Sequence, residues 1–549
     1  MFVRAKQKDE SRWQVQILES VREGSKVRQK TIRNIGVALN EEELHNYKKI
    51  AEAAIVSMRN AKQPVLPIFD PYDFYKPRSK RKPVDPQARV EDLQHVQTFN
   101  DGLREVFGSV FDELNFSELI CDSNKDDQWN AILKANVLAR IANPESKRAA
   151  SKRLEKEFGI RIPLEKTYRM MDHVEKNEAR IKSQIKRATM ALFEEKVDVL
   201  FFDVTTLYFE SFSADELRDF GFSKDCKFKE TQVVLALVTA KDGMPITYKV
   251  FPGNTYEGHT LIEIVKLIKV EFEIDKTIIV ADRGMFNEDN LRLLEQEKIT
   301  YIVSAKLRSL TKATKQKILE EKDYRFSVVA DEAHWIKELQ HKGRRLVVTY
   351  SSKRAKKDRA DRQRLVDRLM KKVKDGKVKV ADVIPNRGTK KFLKVVGGEA
   401  SVDESKIATD QHWDGLHGVC TNDESQSAIA LLERYRSLWT IEAAFRVNKH
   451  DLKMRPINHW TPKRIKAHIA ICFIAYTVVK HTLHHLQRKG IKISLNELRQ
   501  ELSSVESMLF RDNALRKHYI LPSNTTPLQR SIYRALGLQR YDKPYAATT

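Results

Sequence analysis

Three carboxylates in this chain occupy positions that suit divalent-metal chemistry. Asp203 closes the apolar run Val197-Asp-Val-Leu-Phe-Phe-Asp203, and Asp282 closes Thr277-Ile-Ile-Val-Ala-Asp282. A carboxylate in such surroundings is costly unless it is paired or binds a metal. Either one alone also fits a strand-end Asp accepting N–H bonds from its own loop. Glu442 lies far downstream in Tyr435-Arg-Ser-Leu-Trp-Thr-Ile-Glu442-Ala-Ala-Phe-Arg-Val-Asn-Lys449. Continuous helical spacing there puts Tyr435, Leu438, Glu442, Arg446 and Lys449 on one face. An aromatic, a carboxylate and two cations on one face do not read as core. The plainer reading is an exposed ion pair between Glu442 and Arg446. Together the three acids offer only hard oxygen donors, which suit two Mg²⁺ or Mn²⁺ ions rather than zinc. Two such ions can activate a water or a 3′-hydroxyl and stabilise the leaving oxygen of a phosphodiester. Tyr435, Arg446 and Lys449 then stand where a phosphate would lie.

The elements that must position these residues follow from periodicity. From residue 197 the pattern predicts β-β-β-α-β-α-β, with Asp203 on the first strand and Asp282 on the fourth. Strands are expected at 197–209, 231–240 and up to Phe251, then at 277–281 and 299–305, with helices at 259–272 and from Asn287. That order defines an α/β fold, an RNase H-like catalytic core over 196–307 and 425–490. A β-rich basic insertion at 308–424 interrupts it, with a strongly basic helical run at 353–374. Ahead of the core, 1–62 reads as a β-hairpin and helix module and 63–91 as a Pro-rich basic linker. Residues 92–195 read as helical. Within them a helix from Lys147, capped by Ser146, a turn at Gly159 and a second helix from Pro163 resemble a helix-turn-helix. Lys166 and Arg169 on the second helix are candidate DNA contacts, although an ordinary helical bundle with basic exposed faces is the plainer reading. Residues 491–549 read as a helical tail.

Bulk properties narrow the function classes. The 549 residues exceed what one core organises, and 41% hydrophobic content excludes wholesale disorder. Lys and Arg outnumber Asp and Glu by 99 to 75, a net charge of +24 that favours a polyanionic partner such as DNA. Four scattered cysteines (Cys121, Cys226, Cys420, Cys472) make neither a zinc ribbon nor a disulfide framework. The N-terminal residues have no signal-peptide pattern, so a cytoplasmic protein is expected. No Gly-x4-Gly-Lys-Ser/Thr loop is present, so ATP-driven chemistry is not indicated.

The segments Phe202-Asp203-Val-Thr-Thr, Ala281-Asp282-Arg-Gly and Tyr435…Glu442…Lys449 resemble those of DDE-type insertion-sequence transposases, over roughly 195–480. The similar subgroup carries a β-rich insertion before the Glu and a Tyr-x2-Arg-x3-Glu-x6-Lys signature. Tyr435, Glu442 and Lys449 match it; Leu438 stands at the Arg position. Arg436 lies on nearly the opposite side of a helix, which leaves Arg446 as the nearest substitute. The resemblance implies cleavage at an element's terminal repeats, strand transfer into target DNA and a synaptic homodimer. Relatives often form a hairpin and stack a flipped base on an aromatic; Trp335 or Trp413 could serve, or could be core. A stand-alone nuclease and an inert DNA-binding derivative are the competing readings.

Overall fold

The computed structural model describes residues 2–9, 12–23, 26–41, 43–45, 47–48, 51, 55, 82–83, 88–120, 127–193, 199–210, 213–221, 230–255, 260–261, 263–266, 278–282, 284, 287–329, 331–375, 391–396 and 399–547. Most of the Pro-rich arm, the turn at Gly24-Ser25, Cys121, Cys226 and parts of the expected helices at 41–60 and 259–272 lie outside these. The chain divides into two compact units: Met1–Thr98 with Ser507–Pro522 and Asp542–Thr549, and Phe99–Glu506 with Ser523–Tyr541.

The first unit holds β1 (Phe2–Asp9), β2 (Arg12–Glu23) and β3 (Lys26–Ala38), which pair antiparallel in that order. The expected hairpin is therefore two strands of a three-stranded sheet, with Val15 and Ile17 in a small core. A second sheet joins β4 (Lys82–Pro83) and β5 (Leu93–Asn100) to strands from the C-terminal part of the chain.

The second unit begins with five helices: α1 (Asp101–Glu113), α2 (Asp127–Ala142), α3 (Lys147–Phe158), α4 (Leu164–Lys176) and α5 (Glu178–Met190). Ser146 caps α3 by accepting from the Ala149 N–H, and Gly159 ends it at φ +68°, a value most side chains resist. Next come β6 (Val199–Tyr208), β7 (Gln232–Thr239), β8 (Pro245–Pro252), β9 (Ile278–Ala281), α6 (Glu288–Gln296) and β10 (Thr300–Ser304). Beyond β10 are α7 (Lys312–Leu319), β11 (Arg325–Val329), β12 (Glu332–His341), β13 (Arg344–Tyr350), α8 (Ser352–Lys374), β14 (Leu393–Val396), β15 (Glu399–Val402), α9 (Glu404–Gln411) and β16 (Leu416–Thr421).

One sheet of nine strands organises this unit, in the order β11-β12-β13-β16-β10-β9-β6-β7-β8. It is mixed: β6, β9 and β10 run parallel, while β7 and β8 are antiparallel to their neighbours. Strands β11, β12, β13 and β16, from the segment read as a β-rich insertion, extend the sheet. β16 pairs antiparallel with both β10 and β13, and its residues 418–421 are buried. Burial on both faces is what fixes β16 inside a sheet rather than at its edge.

The remaining helices are α10 (Ala428–Arg436), α11 (Trp439–Arg446), α12 (Pro462–Arg488), α13 (Leu495–Ser503) and α14 (Pro527–Ala535). α12 is long and apolar enough by composition to cross a membrane, yet its residues from Ile469 to Val479 are buried, packed with α1, α2, α4 and β8. The segment 491–549 is not wholly helical. It also contains β17 (Glu506–Asp512), β18 (Lys517–Pro522) and β19 (Tyr545–Ala546), in the five-strand sheet β4-β19-β18-β17-β5. Alternate residues Ser507 and Leu509 are buried, a period of two that overrides the helical reading. β5 likewise occupies the start of the segment expected to be helical.

Candidate active site

β6 and β9 are in parallel register from Val199↔Ile278 to Phe202↔Ala281. The next residue on each is Asp203 and Asp282, so the two acids stand level on strands about 4.8 Å apart. β10 continues the alignment. Val303 pairs with Ala281, which brings Ser304 level with Asp282. Three neighbouring strands thus end their apolar runs in one row, Asp203, Asp282, Ser304. Asp203 closes the apolar run but not the strand, which continues as the expected span 197–209 requires. β6 continues to Tyr208 because β7 remains paired beside it, Asp203 opposite Leu237. Its Oδ1 accepts the Val204 N–H at 2.7 Å, and its side chain is half-buried, whereas Asp282 is exposed.

The segment carrying Glu442 is two helices, not one. α10 stops at Arg436 and α11 starts at Trp439. Side chains there compete for the helical carbonyls: Ser437 Oγ donates to Glu433 O (3.1 Å) and Thr440 Oγ1 donates to Ser437 O (2.8 Å). Tyr435 and Glu442 therefore stand on two successive helices rather than on one. α11 ends in a π turn, Val447–Asp451, which carries Lys449 further round the axis from Glu442. α11 packs over β6 and β7 through Thr440, Ile441, Ala444 and Phe445, leaving Glu442 and Arg446 exposed. Gly243, at φ +69° in the β7–β8 turn, permits that approach: a Cβ there would sit 3.0 Å from the Thr440 carbonyl oxygen. Leu438, at the signature's Arg position, is buried at 7% exposure. Arg436 is taken up elsewhere, donating to the Val329 carbonyl (2.7 Å) and pairing with Glu332 (3.2 Å).

Tyr435 links the parts. Burial first, then the charges of Asp282 and Glu442, push its hydroxyl up to about 12, against a hydrogen bond with Ser304. The phenol is thus within electrostatic reach of both acids and stays protonated at neutral pH. Its ring lies 5.1 Å from that of His417, whose Nε2 is 3.2 Å from Ser304 Oγ. Ser304 and His417 were not singled out from the sequence. The available signal was the repeated strand ending, Phe-Phe-Asp203, Val-Ala-Asp282 and Ile-Val-Ser304.

A cleft of about 830 Å³ opens beside this row, lined by Asp282, Ser304, Arg308, Arg354, Trp413 and Tyr435 among others. Its deeper acids are already engaged: Arg362 grips Asp414 with two bonds, and Lys391 reaches Asp410 at 3.1 Å. Trp413 packs on the core and borders the cleft beside Arg308, while Trp335 is 46% exposed, edge-on to Phe326 at 5.6 Å. Lys166 and Arg169 are exposed on α4, with Arg169 paired to Glu165. No structural contact joins them to the acidic row among the described residues.

Asp203, Asp282 and Glu442 fit hard divalent ions by donor type. Among the described residues, however, no three His, Cys, Asp or Glu side chains lie close enough to hold an ion together.

The family model "Transposase DDE domain" matches residues 195–478, just over half of the chain. The chain belongs to the DDE transposases. The model "IS1634 family transposase, N-terminal domain" matches residues 2–63 of this transposase. It is therefore an insertion-sequence DNA transposase, an enzyme of DNA strand breakage and joining. No curated protein matches it. Two solved structures are similar at low identity. One is a piggyBac transposase synaptic complex with hairpin DNA (11% identity, 77% of this chain and 82% of that one covered, TM-score 0.38). The other is a Drosophila P element transposase strand transfer complex (14% identity, 79% and 96% covered, TM-score 0.18).

Proposed function

We propose that this transposase moves its element by cut-and-paste, with Asp203, Asp282 and Glu442 as the catalytic carboxylates. The observation that carries the reading is the level placement of Asp203 and Asp282, with Tyr435 under the influence of both Asp282 and Glu442. The strands β8-β7-β6-β9-β10, three antiparallel and then two parallel to β6, support the RNase H-like reading of the core. Asp203, Asp282 and Glu442 would hold two Mg²⁺ or Mn²⁺ ions, which supply activation of the attacking hydroxyl and stabilisation of the leaving oxygen. Glu442 must approach the aspartates for that. Its place at the exposed first turn of α11, held at its base by Gly243 and Thr440, leaves its side chain free of the packed face. Tyr435, as a protonated phenol, would donate to a phosphate oxygen. Exposed Arg446 and half-buried Lys449 would offset phosphate charge. Lys166 and Arg169, at the start of α4, would contact the terminal repeats. Two DNA ends need two active sites, hence a homodimer in the synaptic complex, in the cytoplasm.

Cleavage of labelled DNA carrying the element's own ends, with Mg²⁺ or Mn²⁺, tests this. Wild type should nick at the ends. Glu442→Gln, Asp203→Asn and Asp282→Asn should each lower the rate by at least about a thousandfold, some 4 kcal/mol of barrier, with DNA binding intact. A variant that cuts normally removes its residue from the site; binding without cutting by wild type removes the catalytic reading.

A further inference from the structure

A second cavity, about 180 Å³, lies away from the acidic row, between the start of α3 and the loop 453–459. Arg140, Lys147, Arg148, Lys453 and Arg455 line it, against a single carboxylate, Glu145. That carboxylate is engaged outward, both oxygens bound by Arg153 at 2.7 and 3.2 Å. Arg140 is 6% exposed and spends its donors on the carbonyls of Glu145, Leu452 and Lys453. Lys147 is 5% exposed and lines the same wall. Two buried cations beside each other are costly. The Nδ1 of His468, on the same wall, is buried without a partner. The N-terminus of α3 adds its partial positive charge at the same point.

These features describe a preformed site for one tetrahedral dianion or phosphodiester. We infer that the cavity clamps a single backbone phosphate of DNA between Lys147 at the start of α3 and Arg455 of the loop 453–459. The inference rests on the transposase reading. In a helix-turn-helix pair the first helix meets the backbone, which is the position of α3 relative to α4. The net charge of +24 favours the polyanion over a free ion. The clamp is also tied to the strand that carries Asp203. The Ile457 N–H donates to the Tyr208 carbonyl at 3.3 Å, and the Arg455 guanidinium lies 5.4 Å from the Tyr208 ring centroid. A phosphate held there fixes the register of DNA against β6 without reading its sequence.

The test is the salt dependence of binding to a fluorescent DNA duplex by the full chain. Each phosphate neutralised contributes about 0.9 to the slope of log K against log salt. Lys147→Met and Arg455→Gln should each flatten the slope by up to about one. The double variant should lose no more than about one in total, because a shared phosphate is lost once. Slopes equal to wild type overturn the inference, even if inorganic phosphate still raises the melting temperature and so marks a free-anion pocket. An additive loss of about two overturns the shared clamp, and altered self-association with an unchanged slope assigns the cavity to a second copy's acidic segment. Arg455→Gln carries the test if Lys147→Met fails to fold. Wild type that binds no DNA refutes the transposase reading itself, separately from the clamp.

Discussion

At the scale of single residues, environment rather than type separates the charged groups. Asp282 and Glu442 are exposed and ready to meet a ligand, while Arg362 and Asp414 lock each other inside the cleft wall. Lys147 is the extreme case, since burial lowers its ammonium to about 7, with Arg140 adding to the shift. The folded protein therefore binds fewer protons than the unfolded chain between about pH 7 and the ordinary lysine value of 10.5. Stability contributed by this site is lowest below pH 7 and rises with pH across that window. In DNA-free protein, wild type should gain on Lys147→Met by up to about 1.4 kcal/mol per pH unit above pH 7. Denaturant titrations of both proteins at several pH values measure it; parallel curves would show that Lys147 does not titrate there. The two aspartates stood out in the sequence because each closes an apolar run, although either one alone also fits an ordinary Asp bonding its own loop. Lys147 did not, because nothing local distinguishes it from the chain's other lysines.

At the scale of elements, the break at Ser437-Leu438 shows how side chains reset a helix that periodicity alone would continue. Local spacing gave Tyr435 and Glu442 a common face; the structure instead brings both to the site from separate helices, with Asp282 between them in influence. The buried Leu438 belongs to this arrangement, filling a place where a cation would lack a partner. Leu438→Arg should accordingly cost about 3 kcal/mol of stability without raising cleavage. Chemical denaturation alongside the cleavage assay checks this, and a stable, faster variant would reassign the position as a phosphate contact. The five strands between 197 and 305 were readable, since strands buried on both faces leave unbroken apolar runs. β17 and β18 were missed because an exposed-buried alternation in so polar a segment is a weak signal.

For the whole molecule, the sequence pattern left open how the strands of the β-rich insertion pair, and the structure joins those at 325–350 and 416–421 to the central sheet. Through β16 they extend the sheet that bears the acids, and Leu346 and Val348 enter the same core as Phe202 and Ala281. Deleting β11 to β13 should then open a buried edge and abolish soluble, cooperatively melting protein. A deletion that stays soluble and melts like wild type would show that these strands are not needed to close the sheet. The acidic row and the basic cavity are built by segments far apart in sequence: Tyr435 joins Ser304, and the loop 453–459 joins α3. Neither site exists until the central sheet and α12 have assembled.

By itself the sequence determined the local terms. Strand and helix periods, the capping of α3 by Ser146 and the places of Asp203 and Asp282 after apolar runs each depend on neighbours a few residues away. Tertiary structure alone decided the register that sets Asp203 level with Asp282 and Ser304, the split between α10 and α11, and the pairing of inserted strands with the core. It also decided which cations are buried. Those outcomes depend on strand pairing and burial between distant segments, whose energies no local pattern encodes.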